Sequence, residues 1–113
     1  MMPRKRGSGT THSVVILDMF HYQDQEHESV VSGFPSRKVA IEYARRRVRD
    51  SLEHLRQPNQ TREELRESWF TFGEDAIVVG GDYAGSGELD FFIDHPATPE
   101  ERDWKSLEGE VGG

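Results

Sequence analysis

The stretch that decides the fold is Phe34 to Arg56, FPSRKVAIEYARRRVRDSLEHLR. Ala40, Ile41, Ala44, Val48, Ser51, Leu52 and Leu55 recur at steps of three and four, so they share one face of a helix. Ser36 is placed to cap its start, and Pro58 with Asn59 stops it. A helix of about 20 residues runs roughly 30 Å, enough to cross a sheet. The segments on either side read as the elements of such a sheet and its further cover.

Working outward toward the N-terminus, Glu28 to Phe34 is a strand with Val30 and Val31 as its apolar content, and Gln23 to His27 is the turn before it. His12 to Tyr22 is the first strand. Its unbroken run Val14 to Leu17 predicts a central strand covered on both faces. Residues 1–11, MMPRKRGSGTT, read as a disordered basic arm.

Toward the C-terminus, Thr61 and Glu64 make a T-x-x-E capping box that opens a second helix, TREELRESWFTF. Leu65, Trp69 and Phe72 are expected on its inner face, with Gly73 as a left-handed stop. Ala76 to Val79 reads as a third strand. Gly80 to Gly87 reads as a hairpin turn, since it lacks the lysine of a phosphate loop and opens no helix. Leu89 to Ile93 reads as a fourth strand. Thr98, Pro99 and Glu101 start a short last helix that brings Trp104 and Leu107 onto the domain. The expected fold is therefore α+β and two-layered. Its sheet has about four strands, in the order β-β-α-α-β-β-α, covered by one long and one shorter helix. One domain spans 12–108, with 109–113 as a flexible tail.

The totals narrow the chemistry. With 113 residues, 34% apolar and 31% charged, the chain fits one domain with a modest core. It has no cysteine, which excludes disulfides, thiol catalysis and thiolate metal sites. Its longest apolar run is far too short for a membrane span, and Asp18 interrupts what a signal peptide needs. A cytoplasmic protein without membrane association is the expectation. The net charge of −7 is split unevenly. Residues 1–73 balance at +2 and residues 74–113 at −9, which favours a basic partner or the pairing of basic and acidic faces.

The segments LDMFHYQDQEHE (Leu17 to Glu28) and FTFGEDAIVV (Phe70 to Val79), with the long helix between, resemble a family of short uncharacterised bacterial proteins. The shared marks are D-x-F-H-Y-x-D at the end of a strand, a helix rich in Ala and Val, and F-G-E-D at the end of a helix. This chain departs in Met19, Gln23 and Ala76, and the likeness stops near residue 80. The resemblance implies a compact cytosolic α+β domain and supplies no mechanism.

Candidate sites are few. Asp18, His21, Asp24, Glu26, His27 and Glu28 crowd the first turn, and carboxylates with imidazoles suit a divalent metal or acid–base work. Strand alternation separates Asp18 from His21, however, and turns are polar in any case. His21, Tyr22 and Asp24 are kept as a binding candidate. No catalytic or metal-ligating residue is assigned, no cofactor is expected, and an enzyme is the minority reading. On the long helix, Arg46 lies four residues from Glu42 and Asp50, and Arg49 four from Glu53, so much of the basic run can pair internally. The remaining stripe, Lys38, Arg45, Arg49 and Arg56, is the candidate phosphate contact. The favoured reading is a small acidic protein-interaction module. Its partner would be another protein or a second copy, ahead of nucleic acid.

One geometric expectation bears on chemistry. If the second helix runs back along the first, the third strand lies parallel to the first. Glu74 and Asp75 would then sit roughly 20 Å from His21 and Asp24, in a separate structural corner.

Overall fold

The computed structural model describes residues 12–21, 28–80 and 83–108, with backbone alone at His21. The basic arm 1–11, the turn Gln23 to His27, Tyr22 and the tail 109–113 lie outside the described residues. Strand β1 is His12–Asp18, followed by a 3-10 turn at Met19–His21. Strand β2 is Glu28–Phe34, helix α1 Arg37–Leu55, helix α2 Arg62–Phe72 and strand β3 Glu74–Val78. A 3-10 turn at Gly85–Glu88 leads into helix α3, Leu89–Asp94. Another at Glu100–Arg102 precedes helix α4, Lys105–Glu108. The class is α+β, with a three-stranded antiparallel sheet in the order β2-β1-β3.

Local chemistry sets most boundaries. Strand β1 stops at Asp18 rather than Tyr22, because the Asp18 carboxylate accepts the Phe20 N–H at 3.0 Å and bends the chain. Ser36 Oγ caps α1 by accepting the Val39 N–H at 3.1 Å. The helix ends at Arg56, ahead of Asn59, which takes a left-handed φ of 65°. At α2 the capping box is complete: Thr61 Oγ1 accepts from the Glu64 N–H, and the Glu64 carboxylate accepts from the Thr61 N–H. In β2, Gly33 at φ 94° supplies the extra residue that shifts the register against β1 between His12 and Val14.

The core gathers Val14, Ile16, Phe34, Ala76 and Val78 from the strands, and Ala40, Tyr43, Ala44, Val48 and Leu52 from α1. Leu65 and Trp69 of α2 join them, with Leu89, Phe92 and Ile93 of α3. Directly opposed residues of antiparallel strands share a face. Val14 and Ile16 therefore point with Val78 and Ala76 into the core, while Val15 points the other way with Val30 and Ile77. Burial follows this alternation. Val14 and Ile16 are buried and Val15 and Leu17 only half-buried, so among the described residues β1 is fully covered on one face, not two.

Three further expectations are corrected. Leu89–Asp94 is a helix, not a fourth strand: Leu89, Phe92 and Ile93 are buried at helical spacing, while Phe91 stays 55% exposed. The chain does fold back after β3, with the Val78 N–H donating to the Tyr83 carbonyl and a bridge between Ile77 and Ala84, but among the described residues no further pairing follows. Gly73 is not left-handed, its φ being −83°. It is required for space, since a Cβ there would lie 2.3 Å from Trp69 Cδ1. Phe72, expected inside, is 59% exposed and stacks on Phe20 with ring centroids 5.5 Å apart.

Among the described residues no helix is long and apolar enough to cross a membrane.

Candidate functional site

The two quoted motifs meet. Strand β3 runs antiparallel to β1, pairing Asp18 with Glu74 and Leu17 with Asp75, and the Met19 N–H donates to the Gly73 carbonyl at 3.0 Å. This overturns the expected parallel strand and the separation of the two corners. Helix α2, with 11 residues, is about 16 Å long. It is too short to return along the 19-residue α1, and it delivers Gly73 to the turn end of β1. His21 Cβ and beyond, Tyr22 and Asp24 are outside the described residues, so that candidate is placed only by the 3-10 backbone that leads to it.

At this corner a cleft of about 330 Å³ opens between Asp18, Glu74, Arg47, His54, Phe72 and Trp104. Its polar groups are tied to one another. Arg47 Nε donates to Glu74 Oε1 at 2.9 Å and its Nη1 to the Tyr43 hydroxyl at 2.6 Å, while the guanidinium lies 4.1 Å from the Trp104 ring centre. The Tyr43 hydroxyl donates in turn to Glu108. Burial and then the Glu108 carboxylate push the Tyr43 phenol well above its ordinary range, so it stays protonated. Burial alone would lower Arg47, but the Glu74 carboxylate and the Tyr43 hydroxyl together outweigh it and the guanidinium stays charged.

Ser51 Oγ accepts from Trp69 Nε1 at 2.9 Å and from the Glu74 N–H at 3.3 Å, joining α1, α2 and β3 at one hydroxyl. Asp50 accepts from Arg102 Nε and from Trp104 Nε1, each at 2.9 Å. His54 stands 3.9 Å from Asp50 at the rim. Asp75, 7% exposed, faces away from the cleft and accepts from its neighbour's N–H and from the Ser86 N–H at 2.9 Å, fastening the 3-10 turn. The cleft thus joins elements, and among the described residues no group of three or more His, Asp or Glu is arranged to hold a metal.

The arginine stripe has a different placement. Arg45 Nε binds Glu88 at 2.8 Å. Arg49 donates to the His95 carbonyl at 2.7 Å, lies 3.6 Å from Glu101, and covers the Phe92 ring, with its buried Nε left without a partner. Arg56 donates to Glu53 and to the carbonyls of Phe92 and Ile93. Only Lys38, exposed in the first turn of α1, has no part in this docking. Three of the four stripe residues therefore hold the acidic C-terminal segment to α1. Arg62 and Arg66 of α2 do the same, through Asp94 and Asp90. The expected pairing of Arg46 with Glu42 is present at 2.8 Å, whereas Asp50 and Glu53 take their bonds from beyond α1.

Sequence reasoning gave Arg47 no role, placed Ser51 only on the apolar face of the helix and offered Asp50 only to Arg46. The one available signal was the crowding of polar residues on the flank of an apolar helical face, which says that they are partnered and not with what. No known family matches the chain, and no curated protein or solved structure matches it either.

Proposed function

We propose that this chain is a non-enzymatic interaction module that binds another protein through the open face of its sheet. The carrying observation is the row Val30–Val15–Ile77, one residue from each strand at a common register, on the face turned away from the core. Leu17 and Val79 extend it, and Val30 and Val79 are exposed at 58% and 51%. Contiguous apolar surface of this kind is what partner surfaces provide. The acidic third is the weaker candidate surface, because Glu88, Asp90, Asp94 and Glu101 are drawn onto the molecule's own arginines. The same pairing leaves little of the arginine stripe for phosphate.

Immobilised protein should capture a stoichiometric partner from an extract of its source cells. Val79→Lys, which places a charge on the face at an already exposed position, should abolish that capture, while Arg37→Ala should not. Equal capture by Val79→Lys and the parent chain would rule the face out.

A further inference from the structure

The edge of the sheet carries an inference that goes beyond its face. The Val79 N–H donates to the Ser13 carbonyl and the Met19 N–H to the Gly73 carbonyl, both in the β1–β3 register. In an antiparallel pair such bonds recur at every second residue. The backbone groups of Ser13, Val15 and Leu17 therefore turn toward β3, and those of Val14 and Ile16 toward β2. Their partners on β2 are Val31 and Ser29. The N–H and C=O of Val30 and Glu28 consequently point out of the sheet, along an edge that no described residue pairs with.

An open edge is normally guarded by lysine, proline or an inward charge. The stretch Glu28 to Ser32 has none of these guards, the strand's one bulge lying beyond it at Gly33, and Glu28 is its sole charge. We propose that β2 pairs with β2 of a second copy, antiparallel about a two-fold axis at Val30. In that register each Val30 exchanges both backbone bonds with its counterpart. Glu28 falls opposite Ser32 of the other copy, so no like charges meet and a hydroxyl faces each carboxylate. The two apolar rows then join into one band, Ile77–Val15–Val30 continued by its symmetry mate, across a six-stranded sheet. A second copy fits better than an unrelated peptide because the strand complements itself at every opposed position. In this register five residues of each strand, Glu28 to Ser32, pair with the other copy, a small contact beside a standard interface, so the dimer is weak and reversible.

Sedimentation equilibrium from about 1 µM to about 1 mM should show reversible dimerisation over this range. Val30→Pro removes an outward donor, which an edge strand tolerates, and should leave a folded monomer throughout. The register is tested separately, helped by the absence of native cysteine. Val30→Cys should form an intermolecular disulfide on mild oxidation, since opposed Cα atoms sit about 5.5 Å apart. Glu28→Cys, four residues out of register with its own mate, should not. A chain that stays monomeric at the highest concentration overturns the proposal, as does equal crosslinking of the two cysteine variants. Val79→Lys leaves this edge intact, so loss of the face partner and loss of the dimer are separable results.

Discussion

Gly73 shows how much one residue can carry in this chain. It ends α2, and the N–H it presents donates to the Trp69 carbonyl at 2.8 Å, while its own carbonyl receives the Met19 N–H. Its missing side chain is what admits the Trp69 ring, whose Nε1 reaches Ser51. Gly73→Ala adds a methyl into that contact, and backbone strain is not involved because φ is ordinary. Overpacking of this kind costs about 1–3 kcal/mol. A thermal or urea melt should show that loss, and an unchanged midpoint would mean that the indole moves aside freely.

At the scale of elements, residues 89–93 are the informative case. The string LDFFI alternates as a strand would, with Leu89, Phe91 and Ile93 on one side. It also fits a helix, with Leu89, Phe92 and Ile93 on one side, and five residues cannot separate the two periods. The helix is formed because Phe92 fills the core beneath the Arg49 guanidinium, 4.8 Å from its ring centre, and because Arg56 takes the end carbonyls of α3. Phe92→Ala should therefore cost about 3–5 kcal/mol, while Phe91→Ala should cost under about 1 kcal/mol. Denaturant midpoints of the two variants decide the matter, and a reversed order would restore the strand.

For the whole molecule, the uneven charge is resolved within the chain. The acidic C-terminal third wraps α1 and α2, whose arginines are its counterions. Glu53 and Glu88 report on that wrap. Burial would raise both carboxyls, but Arg56 with the Ala97 N–H, and Arg45 with Tyr83, outweigh burial and hold them below the ordinary value of 4.5. A carboxyl lowered by folding adds stability that is complete above its unfolded pKa and lost as pH falls through the folded one. The wrap should thus be intact near neutrality and loosen on acidification below about pH 4.5. The hydrogen-exchange protection of Ala97, taken against its intrinsic rate at each pH, should fall in that range, because its N–H donates to Glu53 at 3.1 Å. In Glu53→Gln that protection should already be lower at neutral pH and should respond less to acid. Protection that stays constant with pH would separate the wrap from these carboxylates.

What the amino-acid sequence determined by itself is written in short windows. The span of α1, the capping box at Thr61, the bounds of β2 and the central place of β1's apolar run each depend on residues within one or two turns of one another. Caps and periods act locally, so they are legible without the fold. Even there the core place of Tyr43 is not legible, because its hydroxyl is satisfied by Glu108 from the far end of the chain as well as by Arg47 one turn along α1. Only the tertiary structure decided the direction of β3, the helical state of residues 89–93 and the destination of each arginine. These depend on how far α2 travels relative to α1 and on which carboxylates arrive beside α1 from some 40 or more residues away, as Glu88 does for Arg45. The candidate corner belongs to this second group. Asp18 and Glu74 lie 56 positions apart in the chain, and they become neighbours because a short second helix returns the chain to the end of β1 that it left.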